Sequence, residues 1–375
     1  MRIVYFTHSL SSCWNHGNAH FLRGVLDELI ARGHDAVACE PENAWSMENL
    51  LADHGEQGLS AYRELYPALQ SVAHMGGDDV DRLVEGADLV IVHEWNEPDL
   101  IARLGTLRKR GAAFRLMFHD THHRAVSAPE EMAEFDLSGY DDVLAFGETL
   151  AEIYRQWGWG EHVHVWHEAA DLRRFHPPEQ ETRREGLVWI GNWGDGERSD
   201  EIREFLLQPA RKTGLPLDIY GVRYPETALE TLADYGARYH GWAPAHWAPD
   251  IFARHLATIH VPRRFYATEL PGIPTIRVFE ALACGIPLVS APWDDAEGLF
   301  RPGTDYLVAH DGDQMRAHLQ ALAADPALRS ELAAHGLETI RSRHSCAHRV
   351  DQLLELAGSR PARRGAARHA TEEMR

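Results

Sequence analysis

The sequence is short of cysteine, of positive charge and of long apolar runs, and each shortage removes a class of protein. Its four cysteines, Cys13, Cys39, Cys284 and Cys346, are scattered over 375 residues with no CxxC pair. That spacing suggests neither a disulfide framework nor a zinc ribbon, and reduced cytoplasmic thiols are the simpler reading. No apolar run approaches the roughly 18 residues a membrane helix needs, so no integral membrane segment is expected. The opening MRIVYFTHSL breaks its apolar run at His8 and is expected to be a first strand, not a secretory peptide. Lys and Arg number 37 against 57 Asp and Glu, a formal charge of −20. This balance argues against a broad grip on nucleic acid or on an anionic membrane surface, so any anionic ligand must be met locally. Internal repeats are also absent. The one biased block is a basic Ala/Gly/Arg tail, residues 359–375, expected to be disordered.

What is present suits two domains, each long enough to bury its own core. Residues 2–7 read as a strand, 18–32 as an amphipathic helix closed by Gly33, and 35–39 as a second strand. Helices are expected around 47–54 and 59–74. Then ADLVIVH, FRLMFH, DDVLAFG and HVHVWH recur as short apolar strands, separated by helices near 97–110 and 147–157. The same grammar restarts after the polar stretch DLRRFHPPEQETRREG. LVWIGNW, LDIYG, ARYHGW, ATIHVP, IPLVSA and DYLVAH supply strands, with helices near 197–212, 225–235, 246–255, 275–284 and 312–323. Strands alternating with helices predict an α/β fold: two Rossmann-like, doubly wound parallel sheets facing across a cleft. The division expected is 1–168, a linker at 169–186, and 187–358. Ligands of such sheets bind beyond the carboxyl ends of the strands, so chemistry is sought in those loops.

The most informative stretch runs from Leu270 to Pro292. Pro271, Gly272 and Pro274 cannot continue a helix, TIRVFEALAC can, and IPLVSA follows as a buried strand. A helix starting near Thr275 offers free backbone N–H groups around Ile276, a hydroxyl and Arg277, together a seat for a phosphate or diphosphate. Glu280 stands alone as a charge among apolar neighbours. Either it points to water, or its two oxygens accept a sugar or ribose diol.

Other strand ends add candidates. GNWGDGERSD is a glycine-rich turn in which Gly191 and Asn192 could approach an anion with Arg198 as counter-charge, or simply a flexible loop. Arg263 follows the strand ATIHVP, and Trp242 either stacks on a base or is buried core. In the first half, SLSSCWNHGNAH should bring Trp14, Asn15, His16 and Gly17 to the cleft. His16 has the pKa range of a general base, although most of the 24 histidines should be structural or on the surface. FHDTHHR places His119, Asp120, His122, His123 and Arg124 at one strand end. It reads as a base with its orienting acid, as a metal site, or as a structural cluster. The two DxD strings, Asp79-Val-Asp81 and Asp311-Gly-Asp313, read as helix starts and caps.

The segment RVFEALACGIPLVSA resembles the donor-site segment of GT-B glycosyltransferases, and HEAADLRRFHP is similar to their interdomain segment, keeping Asp171, Phe175 and Pro177. WNHGNAHFLRGVLDELIARGHD, HDTHHR and RVFEALACG look most like proteins related to the spore maturation protein CgeB. The resemblance implies a hexosyltransferase that takes a nucleotide-diphosphate sugar, a UDP-sugar being the first choice, and delivers it to a sugar, small-molecule or glycan acceptor. It implies no cofactor and no bound metal. Gly191, Asn192, Arg198, Trp242, Arg263, Thr275, Ile276, Arg277 and Glu280 become donor contacts, with Glu280 on the ribose. Trp14, Asn15, Gly17, His122, His123 and Arg124 become acceptor contacts, and His119, Asp120 and His16 catalytic groups. One departure stands out: the acid that many retaining members carry eight positions before Glu280 is Gly272 here. A nucleotide-sugar epimerase of the same fold, a metal-dependent hydrolase built on HDTHHR and a non-catalytic nucleotide or sugar binder are the competing readings.

Overall fold

The computed structural model describes residues 1–160, 162–180, 183–194 and 196–358. The expected disordered tail lies outside the described residues. The chain forms two parallel sheets. The first contains β1 (Arg2–Phe6), β2 (Asp35–Pro41), β3 (Gln70–His74), β4 (Leu89–His93), β5 (Arg115–Asp120), β6 (Asp142–Ala145) and β7 (His162–Val165), in the order β3-β2-β1-β4-β5-β6-β7. The second contains β8 (Leu187–Ile190), β9 (Leu217–Tyr220), β10 (Arg238–Tyr239), β11 (Ala257–His260), β12 (Leu288–Ser290) and β13 (Leu307–Val308), in the order β10-β9-β8-β11-β12-β13. The two doubly wound sheets expected from the alternating pattern are therefore present.

The central strands owe their character to burial on both faces. Ile3, Val4, Tyr5 and Phe6 of β1 and all of β4 are buried, so these strands read as unbroken apolar runs and pair in parallel with Ile3 opposite Leu89. Helix Ala19–Ala31 lays Phe21, Leu22, Val25, Leu26 and Leu29 against that sheet and ends before Gly33, whose φ of 83° an L side chain resists.

Two parts of the layout differ from the pattern read in the sequence. The expected helix over 59–74 stops at Leu65, and Gln70–His74 is an edge strand paired with β2, Val37 opposite Gln70. Only His74 of this strand is buried, so it lacks the apolar signature and is held by its ladder. Two long helices, Pro326–Arg343 and Cys346–Gly358, were not anticipated, nor were the short ones Arg124–Ser127, Pro129–Met132 and Arg264–Thr268. Asp325 caps the first, accepting from Ala327 N at 2.9 Å and Leu328 N at 3.2 Å, with Pro326 at its first position. The second crosses back onto the first half. Trp166 Nε1 donates to the Arg349 carbonyl at 2.9 Å, and Arg32 meets Asp351 at 2.5 Å.

Candidate functional site

Loops after β1, β5, β6, β7, β8, β9, β10 and β11 converge on one cavity of about 230 Å³ between the two sheets. A chamber of about 650 Å³ opens beside it, lined mainly by the first half, and Asn15, His16, Gly17, Asn18, His122, Asn192 and Arg263 line both. The cleft is where parallel sheets are expected to bind ligands.

On the second half, the turn after β8 is built around Arg198. Gly194 has φ 89°, and a Cβ there would lie 2.7 Å from Arg198 Nε, so the turn needs both glycine's conformation and its lack of a side chain. The buried guanidinium stacks over Trp189 at 5.3 Å and donates to the carbonyls of Val261 at 2.6 Å and Asn192 at 2.7 Å. Arg263 reaches the cavity from the end of β11, braced by Glu197 at 2.8 Å. Helix Ile276–Ala283 starts on the cavity wall, so its first backbone N–H groups, which lack intrahelical acceptors, face the cleft with Arg277. The Thr275 hydroxyl lies 3.1 Å from His260 Nε2, and His260 Nδ1 lies 2.9 Å from the Ser290 hydroxyl. Burial lowers the His260 pKa to about 3, with Arg198 adding to the shift, so this ring on the cavity wall is neutral. Trp242 is half-buried on the wall near Gly221 and Val222, its Nε1 without a partner.

The halves touch across the cleft. Gly17 lies against the helix start, where a Cβ would come within 3.2 Å of Ile276 Cγ2. Asn192 Nδ2 donates to Asn15 Oδ1 at 3.1 Å. Asn15 and Arg223 are the non-glycine residues with positive φ among the described residues, 47° and 60°, and both line the larger chamber, so backbone strain gathers there. Trp45 and Trp95, partly exposed, form two aromatic walls of that chamber.

Five expected site residues do not reach either cavity. His119 and Asp120 belong to β5 itself, which runs one residue past FRLMFH, and both are fully buried. His119 bonds the Tyr5 hydroxyl; Asp120 accepts from the Tyr154 hydroxyl and from His122 N at 2.7 Å. Burial, with Glu94 adding, pushes the Asp120 pKa up to about 8. Trp14 is buried with Nε1 on Asp53 at 2.8 Å. Arg124 lies over the Trp95 ring at 4.2 Å and bonds the Glu94 carbonyl. Glu280, placed by helical periodicity on the inward face, is fully buried. One oxygen lies 3.0 Å from His20 Nδ1, and the other binds Arg277. His20 Nε2 accepts from Asp171 N at 2.8 Å, so its proton sits on Nδ1 and is donated to Glu280. The carboxylate thus joins the first helix of one half to the cleft-facing helix of the other and holds Arg277.

The imidazoles of HDTHHR do not share one point: His119 is buried, whereas the His122 and His123 rings lie 4.0 Å apart on the larger chamber, with His123 stacked on Phe265 at 4.7 Å and bonded to Ser127 at 2.8 Å. Among the described residues no group of three or more His, Cys, Asp or Glu is placed to hold a metal ion. The hydrolase reading therefore has no ligand set. His16 stays on the cavity. Burial, followed by His8, His93 and Arg23, brings its pKa well below the ordinary histidine value, and its Nε2 has no partner. Gly272 has φ 88°, and the space beside it is filled by Glu297, 3.0 Å from where a Cβ would stand. Glu168, His260, Trp45 and Trp95 were missed. The signal available for Glu168 and Trp95 was an acid or an aromatic just past an apolar strand.

Residues 198–355 match a family model described as glycosyl transferase-like. No curated protein matches the chain. Solved structures match it along nearly its full length. T4 phage β-glucosyltransferase has a TM-score of 0.60 at 14% identity, covering 95% of this chain and 99% of that one. An α-glucosyltransferase in complex with UDP and a 13-mer DNA has a TM-score of 0.68 at 12% identity, covering 96% and 99%. Sucrose-phosphate synthase from Thermosynechococcus elongatus has a TM-score of 0.63 at 14% identity, covering 95% and 98%. At these identities the likeness establishes the fold, which is the GT-B arrangement of two facing parallel-sheet domains.

Proposed function

We propose that this protein is a glycosyltransferase that moves a sugar from a nucleotide-diphosphate donor to the hydroxyl of a sugar, small-molecule or glycan acceptor. The observation that carries the reading is the meeting of Arg198, Arg263, Arg277 and a helix start in one interdomain cavity of a chain with a net charge of −20. Such a local cluster suits a diphosphate and stabilises it best as the leaving group, when its charge is largest. The base would lie toward Trp242, and a UDP-sugar is the first donor to try. Glu280 serves the donor through Arg277. The acceptor enters the larger chamber between Trp45 and Trp95. As its oxygen bonds to the anomeric carbon, the carbon–oxygen bond to the diphosphate breaks, the diphosphate keeps the electron pair, and the hydroxyl proton passes to His16 Nε2.

That second chamber favours transfer over epimerisation, which needs no acceptor. The acidic charge favours a small or neutral acceptor over a nucleic acid, unlike the DNA-bound α-glucosyltransferase. We place the protein in the cytoplasm, since all four cysteines are unpaired. Among the described residues no helix is long and apolar enough to cross a membrane. The test is a thermal-shift screen of UDP, GDP, ADP, TDP and CMP sugars, followed by transfer of a labelled sugar to an acceptor library. Stabilisation by one nucleotide class, with nucleotide release that depends on acceptor, is expected. A flat screen refutes the reading.

A further inference from the structure

One carboxyl in the cavity has no use within the protein. Glu168 stands just past β7, where the chain leaves the first half, and is 2% exposed. It lines the interdomain cavity, yet its Oε1 has no hydrogen-bond partner, and among the described residues no cation is paired with it. The other fully buried carboxylates in this region each have at least one oxygen engaged: Glu280 by His20 and Arg277, Asp120 by Tyr154 and His122, Asp171 by the Arg173 N–H and Glu94 by the Thr121 hydroxyl, although Asp171 Oδ2 and Glu94 Oε2 are also without a hydrogen-bond partner. Burial pushes the Glu168 pKa well above the carboxylate range, the Glu280 and Glu94 charges add to that, and Arg277 only opposes it. A buried acid left without a partner weakens the fold, which is the signature of a group whose partner comes from outside.

The surroundings define that partner. The cations and the helix start serve the diphosphate, which an ionised carboxyl would repel. Thr121, Phe146 and Tyr266 line the cavity with it, and the Tyr266 hydroxyl pKa is raised by burial and then by the Glu168 charge. Glu168 lines the cavity that holds the helix start and Arg277, and not the chamber lined by Trp45 and Trp95. A cavity that takes the diphosphate also takes the donated sugar joined to it, and a carboxyl offers sugar hydroxyls an acceptor oxygen together with, when protonated, a donor.

We propose that Glu168 binds the hydroxyl groups of the donor sugar, and so discriminates the sugar conjugate from the bare nucleotide. The proposal rests on the nucleotide-sugar reading above. It is tested by calorimetric titration of wild type and Glu168→Gln with UDP, GDP, ADP and TDP and with their glucose and galactose conjugates. Glu168→Gln is expected to bind the preferred nucleotide within twofold of wild type and its sugar conjugate more than tenfold more weakly. Equal losses for nucleotide and conjugate, or no loss for either, overturn the role of Glu168 while leaving the nucleotide-sugar reading intact. If the wild type binds none of these ligands, the nucleotide-sugar reading falls, and this inference with it. Melting of the empty protein is an independent check. Because the acid is unpaired, Glu168→Gln should melt at or above the wild-type temperature, and a fall of more than about 5 °C would make Glu168 a structural group and overturn the proposal.

Discussion

Replacing Glu280 by alanine distinguishes a carboxylate that binds nucleotide directly from one that holds two side chains in place. In the structure it is fully buried, 3.0 Å from His20 Nδ1, and bonded to Arg277. Arg277 keeps 29% side-chain exposure and can turn to water when the carboxylate is lost, whereas the His20 side chain is 0% exposed and cannot. The stranded His20 N–H costs about 1–3 kcal/mol, and the space left by the truncated side chain adds about 1–2. A total near 3 kcal/mol corresponds to a melting temperature lowered by roughly 6–12 °C. Loss of Arg277 orientation should weaken UDP binding by about three- to tenfold. A cycle with His20→Ala and the double mutant should show about 1–3 kcal/mol of coupling. Burial alone would raise the Glu280 pKa, but Arg277 and His20 outweigh it and the folded value is lowered. The stabilisation is therefore complete above the unfolded pKa and is lost as pH falls through the lower folded value. The gap between mutant and wild type should be constant from pH 8 to 5 and close in acid. Scanning calorimetry and titration with UDP measure both effects. Unchanged melting with more than tenfold weaker UDP binding would refute this account and return Glu280 to the ribose.

Asp120 behaves in the opposite sense. Its folded pKa is raised to about 8, so between the unfolded value and that point the native state holds a proton the unfolded chain has released, and stability falls as pH rises. Asp120→Asn should gain about 1–3 kcal/mol relative to wild type at pH 8 and little at pH 4, read by urea unfolding at both. His16→Gln should lower kcat by roughly 10²- to 10⁴-fold while UDP affinity stays within twofold; an unchanged kcat would remove His16 from the proton path. Trp45, 46% exposed, should matter to substrate and not to folding. Trp45→Ala is expected to raise the acceptor KM at least fivefold with the donor KM and, within about 0.5 kcal/mol, the stability unchanged.

The strand ends carried most of what could be read in advance. Gly191, Arg198, Arg263, Thr275 and Arg277 could be placed on the cavity in advance because a residue just past an apolar strand, or at a helix start, must face the cleft of a doubly wound sheet, whatever packs around it. His119 and Asp120 illustrate the limit of that rule. Moving the end of β5 by one residue puts both side chains inside the sheet, and no local signal in FRLMFHD marks that end. Glu280 shows a second limit: periodicity gives the face of the helix on which it lies, but not that His20, 260 residues away, already occupies that face.

Local order in the chain determined the class of fold, because apolar periodicity and turn residues dictate strand, helix and the parallel pairing that alternation requires. It also determined which loops border the cleft. Only the tertiary structure decided the use of each charge. Whether a carboxylate is paired, as Glu280 is by His20 and Arg277, or left open, as Glu168 is, depends on groups brought together from distant segments. The free energy of a buried charge is set by those neighbours and not by its place in the chain.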